Sequence, residues 1–231
     1  MSNRPSGQIV VALDGPAGAG KSTAAQRLAE RLGYVLVDTG ALYRGVALAA
    51  LERDVCWDDG PALGAMVDAL ALTFERGSDG RARLHIDRAD RSGEIRTPQI
   101  SDGASRVSRH AEVRRALLGL QRRLGEPGGV VLEGRDIGTV VFPDAEVKIF
   151  LTASDEARAK RRHDELAHAG HAIEFAEVLA EIRERDRRDS ERDIAPLKPA
   201  ADALLLDTSA ITLEQVVDQL EHIVRNTHAP R

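Results

Sequence analysis

Ile9-Val10-Val11-Ala12-Leu13-Asp14 runs directly into Gly15-Pro16-Ala17-Gly18-Ala19-Gly20-Lys21-Ser22-Thr23. Five apolar residues closed by a glycine-rich turn predict a strand covered on both faces, as parallel strands are in α/β proteins. The turn fits the pattern G-x-x-x-x-G-K-[ST], and after it Ala24, Ala25, Leu28, Ala29 and Leu32 repeat at helical spacing until Gly33. A helix is therefore expected from about Lys21 to Leu32. A phosphate-cradling loop needs this setting, straight after a buried strand and at the head of a helix.

Glycines let backbone N–H groups close around phosphate oxygens, and the helix N-terminus contributes its positive end. Lys21 is placed to neutralise the β and γ phosphates of ATP, and the Ser22 hydroxyl to join the shell of Mg²⁺. Gly15, Pro16, Ala17, Gly18, Ala19, Gly20, Lys21, Ser22 and Thr23 are thus the expected ATP-binding residues. A turn that merely joined strand to helix would have no packing use for the lysine.

Working outward, Tyr34 to Val37 reads as a second strand, Asp38-Thr39-Gly40 as turn and cap, and Ala41 to Arg53 as a helix. Val130 to Leu132, Val147 to Leu151 and Ala203 to Leu206 are further buried-strand candidates, separated by stretches long enough for helical crossovers. The expected fold is a three-layer α/β/α P-loop domain with five parallel strands. Between about Pro61 and Pro98, Leu72 to Phe74 and Arg83 to Ile86 flank the turn Gly77-Ser78-Asp79-Gly80 and suggest a small β insert. From Ser154 to Arg192 the chain is dense in charge, with Glu181/Arg185 and Glu184/Arg188 at i,i+4 and a break at Ala167 to Gly170. Residues from Asn226 onward are expected to fray.

Composition narrows the function classes. A length of 231 residues allows one α/β domain with small appendages. A net charge of -5 argues against a long sequence-independent grip on nucleic acid, which shows as a basic surplus, and leaves room for a local basic pocket. The single cysteine, Cys56, closes no internal disulfide, the run Ile9 to Leu13 is too short for a secretory signal, and no apolar stretch is long enough to span a membrane. A cytoplasmic monomer is the expectation. His163, His168 and His171 lie in the charged segment and read as solvated, while Cys56 and Trp57 read as packing residues.

A P-loop alone announces a nucleotide, not a reaction. Regulatory GTPases need Asn-Lys-x-Asp to read guanine, and the only asparagines are Asn3 and Asn226. A small-molecule kinase needs arginines for a second anionic substrate. Arg44 follows the second strand and Arg135-Asp136 the third, both at the C-terminal sheet edge where open α/β folds bind ligands. On spacing alone, Arg44 reads equally as a solvated helix residue, and Glu133 equally as a member of the Mg²⁺ hydration shell or as an ion-pair partner. Arg158, Arg161, Arg162, Arg183, Arg185, Arg187, Arg188 and Arg192 would ordinarily read as solvated helical faces.

Taken together, GPAGAGKST at 15 to 23, DTGALYR at 38 to 44, SGEIRT at 92 to 97, EGRDIGTVVFPDA at 133 to 145 and ERDRRDSERDIAPL at 184 to 197 resemble the bacterial cytidylate kinases, over about residues 8 to 225. The resemblance implies ATP-dependent phosphorylation of CMP and dCMP to their diphosphates in pyrimidine nucleotide metabolism. It also implies a core at about 8–40, 99–153 and 193–227, an acceptor-binding region with a β insert at about 41–98, and a short helical lid at about 154–192. Carried over by matching position, Ser105, Arg114 and Asp136 would read cytosine, and Thr39, Arg185 and Asp189 would meet the ribose. Arg44, Arg135 and Arg192 would hold the acceptor phosphate with Tyr43 beside them. Arg158 and Arg162 would close over ATP, and Lys21, Arg135, Arg158, Arg162 and Arg192 form the implied catalytic set. Many relatives have Lys-Gly-Thr where this chain has Lys21-Ser22-Thr23, which restores a hydroxyl for the Mg²⁺ shell.

Two rivals differ in chemistry. A kinase acting on UMP or on a hydroxyl-bearing metabolite would want, for an alcohol, a carboxylate base such as Asp38. A regulator that reads ATP without transferring it would have no use for the arginine set.

Overall fold

The computed structural model describes residues 8–76, 82–168 and 170–227. The strand that opens the sequence is β1, Val10–Asp14, and all five of its residues are buried. Helix α1, Lys21–Leu32, follows the glycine loop and ends at Gly33, whose left-handed backbone (φ 69°) returns its N–H to the carbonyls of Ala29 and Glu30. Strand β2 is Val35–Asp38, and α2, Thr39–Glu52, begins two residues before the expected start. The reason is local: the Asp38 carboxylate accepts from the Ala41 amide and caps the helix there.

The region expected to be a β insert is only partly β. It opens with α3, Gly60–Ala69, where Asp59 accepts from Ala62 N and Pro61 occupies the first turn, a helix start that periodicity did not single out. Antiparallel strands β3, Leu72–Arg76, and β4, Ala82–Ile86, follow, with a two-residue third strand β5, Ala89–Asp90. The expected turn Gly77 to Gly80 lies outside the described residues. Helices α4, Pro98–Val107, and α5, Ala111–Gly125, lead to β6, Val130–Gly134, and β7, Val147–Thr152. A helical hairpin, α6, Asp155–His168, and α7, Phe175–Glu191, spans the charged segment, with the expected break beginning after His168. The chain closes with β8, Leu204–Asp207, and α8, Leu213–Thr227, so Asn226 is helical rather than frayed.

The large sheet is wholly parallel in the order β2-β6-β1-β7-β8. Alternation along β1 separates its two faces. Val11 and Leu13 pack with Leu28 of α1 and Leu220 of α8, whereas Val10 and Ala12 pack with Leu132 and Ile137 and, beyond them, Leu118 and Leu124 of α5. A second core joins α2, α3, α4 and α5 over Leu84 and Ile86 of the small sheet. The expectation of a buried fifth strand fails, because β8 has a neighbour on one side only and leaves Leu204 and Leu205 51% and 67% exposed. Among the described residues no helix is long and apolar enough to cross a membrane.

Candidate active site

Strands β1, β2 and β6 end at one edge of the sheet, and the segments leaving all three border a cavity of about 550 Å³. On one side lies the glycine loop. Gly15 has φ +147°, and a Cβ there would stand 2.0 Å from the Leu151 carbonyl oxygen, so only glycine lets the loop turn off β1 against β7. Lys21, in the first turn of α1, is buried and donates to the Pro16 carbonyl at 2.6 Å, so its ammonium is held back against the loop. Burial, then the Arg135 guanidinium, pushes its pKa well below the ordinary lysine value. A polyanion placed here would meet backbone amides and a cation that the protein has already desolvated.

The Ser22 hydroxyl donates to the Glu133 carboxylate at 2.9 Å. Burial, reinforced by repulsion from Asp38, raises the Glu133 carboxyl to about 7. A serine hydroxyl beside a buried carboxylate whose charge is disfavoured is a donor set of hard oxygens that suits a divalent cation of the Mg²⁺ type.

The opposite wall is made of guanidinium groups. Arg44 on α2 pairs with Asp38 at 2.5 Å. Arg135, in the turn after β6, donates to Asp189 at 3.1 Å. Arg185, Arg188, Asp189 and Arg192 repeat at i, i+3, i+4 and i+7 along and just past the end of α7, which brings them onto one face of that helix. Arg188 reaches across to Asp102 of α4 at 2.9 Å. The Arg185 guanidinium is lowered to about 10, first by burial and then by Arg135. Burial works against ionisation of Asp189, yet Arg135, Arg185 and Arg192 hold its carboxyl below the usual range. Beneath them, Arg114 of α5 pairs with Asp136, donates to the Ser108 carbonyl at 3.2 Å and lies 5.5 Å over the buried Tyr43 ring. Four buried polar atoms of this wall have no hydrogen-bond partner, Nε of Arg44, Arg185 and Arg188 and Oγ of Ser105, although Arg188 Nε stands 3.7 Å from the Glu184 carboxylate. Buried donors left unpaired are costly, so this wall is built for an anionic ligand with further polar edges.

The cytidylate kinase family model matches residues 11–226. The chain is 49% identical over 216 residues to a cytidylate kinase of Exiguobacterium sibiricum, covering 94% of this chain and 96% of the relative. It is 49% identical over 218 residues to one of Geobacter sp. (strain M21), covering 94% and 93%. The chain belongs to the cytidylate kinase family. Among solved structures, an uncharacterized protein from Eubacterium ventriosum ATCC 27560 has a TM-score of 0.55 with 14% identity, over 95% of this chain and 99% of its own, a likeness of fold alone.

Set against the positions that resemblance to cytidylate kinases singles out, the structure brings most of them to one cavity. Ala17, Gly18, Gly20, Lys21, Ser22 and Thr23 line it on the glycine-loop side. Thr39, Tyr43, Arg44, Ser105, Arg114, Arg135, Asp136, Arg185, Asp189 and Arg192 line the wall that faces the glycine loop. Gly15, Pro16 and Ala19 shape the loop without lining the cavity, and Thr39 commits its hydroxyl proton to the Glu133 carbonyl at 2.7 Å. Of the two hairpin arginines expected over ATP, Arg162 lines the cavity and pairs with Glu165 at 3.2 Å. Arg158 does not. It is 2% exposed, donates to the Ala153 and Ala17 carbonyls at 3.0 Å each, and pairs with Asp155 and Asp186 at 2.6 and 2.5 Å. With every nitrogen engaged, it fastens α6 and α7 to the back of the glycine loop.

Arg161, by contrast, lines the cavity and donates to Thr208 after β8, and Arg188 joins the α7 stripe. Helical charge periodicity alone could not separate these from solvated neighbours, although the i+3 relation of Arg188 to Arg185 carried the signal. His163, His168 and His171 belong to no cluster suited to a metal among the described residues. The Trp57 indole donates to the Ala47 carbonyl at 2.9 Å as a packing residue, while Cys56 is exposed.

Proposed function

We propose that this chain performs the reaction of its family, transfer of the γ-phosphoryl group of ATP to the phosphate of CMP, with dCMP as a second acceptor. The observation that carries this reading is the pairing of a phosphate-cradling loop with a facing wall of guanidinium groups, several of whose buried donors lack partners. The amides of the glycine loop and Lys21 hold the triphosphate. Arg44, Arg135 and Arg192 hold the acceptor phosphate. Ser105, with the Arg114 and Asp136 pair, offers a mixed donor and acceptor edge to cytosine, and Arg185 and Asp189 face the ribose. Lys21, Arg135, Arg162 and Arg192 are the catalytic groups of this reading, and Arg158 positions the loop from behind.

An acceptor phosphate is already an anion near neutral pH, so no side chain has to remove a proton before its oxygen attacks the γ phosphorus. Alignment of the two phosphates and neutralisation of the shared charge are the whole task. Mg²⁺ would be held by Ser22, with Glu133 behind it, and supplies charge neutralisation at the phosphates when bound. Closure of the α6–α7 hairpin over both substrates excludes water from the reaction. We place the enzyme in the cytoplasm as a monomer with no nucleic-acid partner.

Release of ADP with CMP, dCMP, UMP, AMP and shikimate separates the readings, and CMP and dCMP are expected to be the productive acceptors. Arg135→Ala is expected to lower kcat/KM for CMP at least about 10²-fold while ATP affinity changes little. Equal loss of both would mean a damaged fold.

A further inference from the structure

Asp14 is the last residue of β1 and the neighbour of the first loop glycine, yet it does not line the cavity. It is 4% exposed, and its carboxylate accepts from the Ile137 amide and the Gly138 amide at 2.8 Å each. Those amides open a single wide helical turn, Ile137–Val141, in which Phe142 N–H donates back to the Ile137 carbonyl at 2.7 Å. Such five-residue turns are rare and concentrate at functional sites. The turn begins immediately after Arg135 and Asp136.

Asp136 stands at the N-cap of this turn, with non-helical backbone (φ −148°, ψ 26°), and an aspartate there would ordinarily accept from the exposed amides. It makes no such bond. Its carboxylate is committed instead to Arg114 and to Arg192, the latter at 3.5 Å. Asp14 takes over the capping from a different strand.

We infer that Asp14 is a positioning residue for the acceptor site: by capping the 137–141 turn in place of Asp136, it frees Asp136 to hold Arg114 and Arg192, and it fixes the backbone that carries Arg135. The inference rests on the acceptor site proposed above. It ties the strand that carries the donor loop to the turn that carries the acceptor arginine, within one hydrogen-bonded span.

The test is Asp14→Asn, which keeps the shape but presents an amide N–H to a backbone N–H, so one of the two bonds is lost. The expected result is a rise in KM for CMP on the order of tenfold with a fall in kcat, and an unchanged dissociation constant for ATP. Wild-type CMP kinetics would overturn the inference. Where Asp14→Asn fails to fold or loses both nucleotides alike, Asp14→Glu decides, because it keeps a carboxylate that can accept from the Ile137 and Gly138 amides but lengthens the arm by one methylene and so displaces the turn. A loss confined to CMP upholds the inference, and unchanged kinetics or an equal loss of ATP overturns it. Arg135→Ala run in parallel keeps the questions apart: if that variant retained CMP binding the acceptor reading itself would fall, whereas if only the Asp14 variants behaved as wild type, the positioning role alone would.

Discussion

On the proposed donor side of the cavity Lys21 rests on the Pro16 carbonyl and Arg158 engages all of its nitrogens with protein acceptors, whereas on the proposed acceptor side Arg44 and Arg185 each keep a buried Nε with no hydrogen-bond partner. The donor wall is backbone, shaped by glycine conformations and complete in its own bonding. The acceptor wall is side chain, gathered from separate segments and electrostatically unfinished until an anion arrives. Mutations on the two sides should therefore fail in different ways.

The largest separation is expected from Lys21→Ala, which removes the ammonium that the glycine loop holds against the Pro16 carbonyl. We expect kcat to fall on the order of 10³-fold with CMP affinity nearly intact, read by steady-state kinetics beside equilibrium CMP binding. Loss of CMP binding would erase the distinction between the walls.

Arg158 and Arg185 sharpen the same contrast in stability. Arg158→Ala leaves Asp155 and Asp186 without their shared cation and should cost about 3 kcal/mol in urea unfolding. Arg185→Ala removes a guanidinium that burial and Arg135 already disfavour. It should leave Tm unchanged or raised while KM for CMP rises.

The seam between the walls should add a pH dependence spread over several units. Burial raises the Asp14 carboxyl from 3.8 to about 6, with Asp136 reinforcing the shift and Lys21 and the Ile137 and Gly138 amides opposing it. Between those values the folded chain binds a proton that the unfolded chain has released. The stabilisation from that proton is complete below 3.8 and is lost as pH rises through about 6. Wild type should thus lose stability relative to Asp14→Asn as pH rises from about 4 to 7, by as much as about 3 kcal/mol, and a pH-independent Tm difference would refute this.

The same contrast explains what the sequence disclosed. The glycine loop, β1 and α1 were legible because their determinants are local: a buried run, a fixed pattern and a helix ending at Gly33. Helix α3 was missed because its start depends on one capping aspartate, Asp59, ahead of a proline, and its apolar composition carries little periodicity. The exposure of β8 depends on its position at the sheet edge, which no local pattern encodes. On the acceptor wall, resemblance to cytidylate kinases pointed to Arg44, Arg185 and Asp189, while residue spacing left them indistinguishable from solvated helix charges. It also implied that Arg158 closes over ATP, and the structure places Arg158 buried behind the loop, because the hairpin folds back on it. Asp14 stood in the decisive stretch and drew no attention, because its partners lie more than a hundred residues away.

The stripe Arg185, Arg188, Asp189 and Arg192 is laid out by one rigid helix, which Asp186 also fastens through Arg158 to the donor loop. Helix α7 is consequently a gauge bar between the glycine loop and the facing arginine wall. Inserting or deleting a single residue between Asp186 and Arg188 would swing Arg188, Asp189 and Arg192 by roughly 100° and carry their contacts off the cavity together. Drift in length can be tolerated in the small antiparallel sheet, but not there.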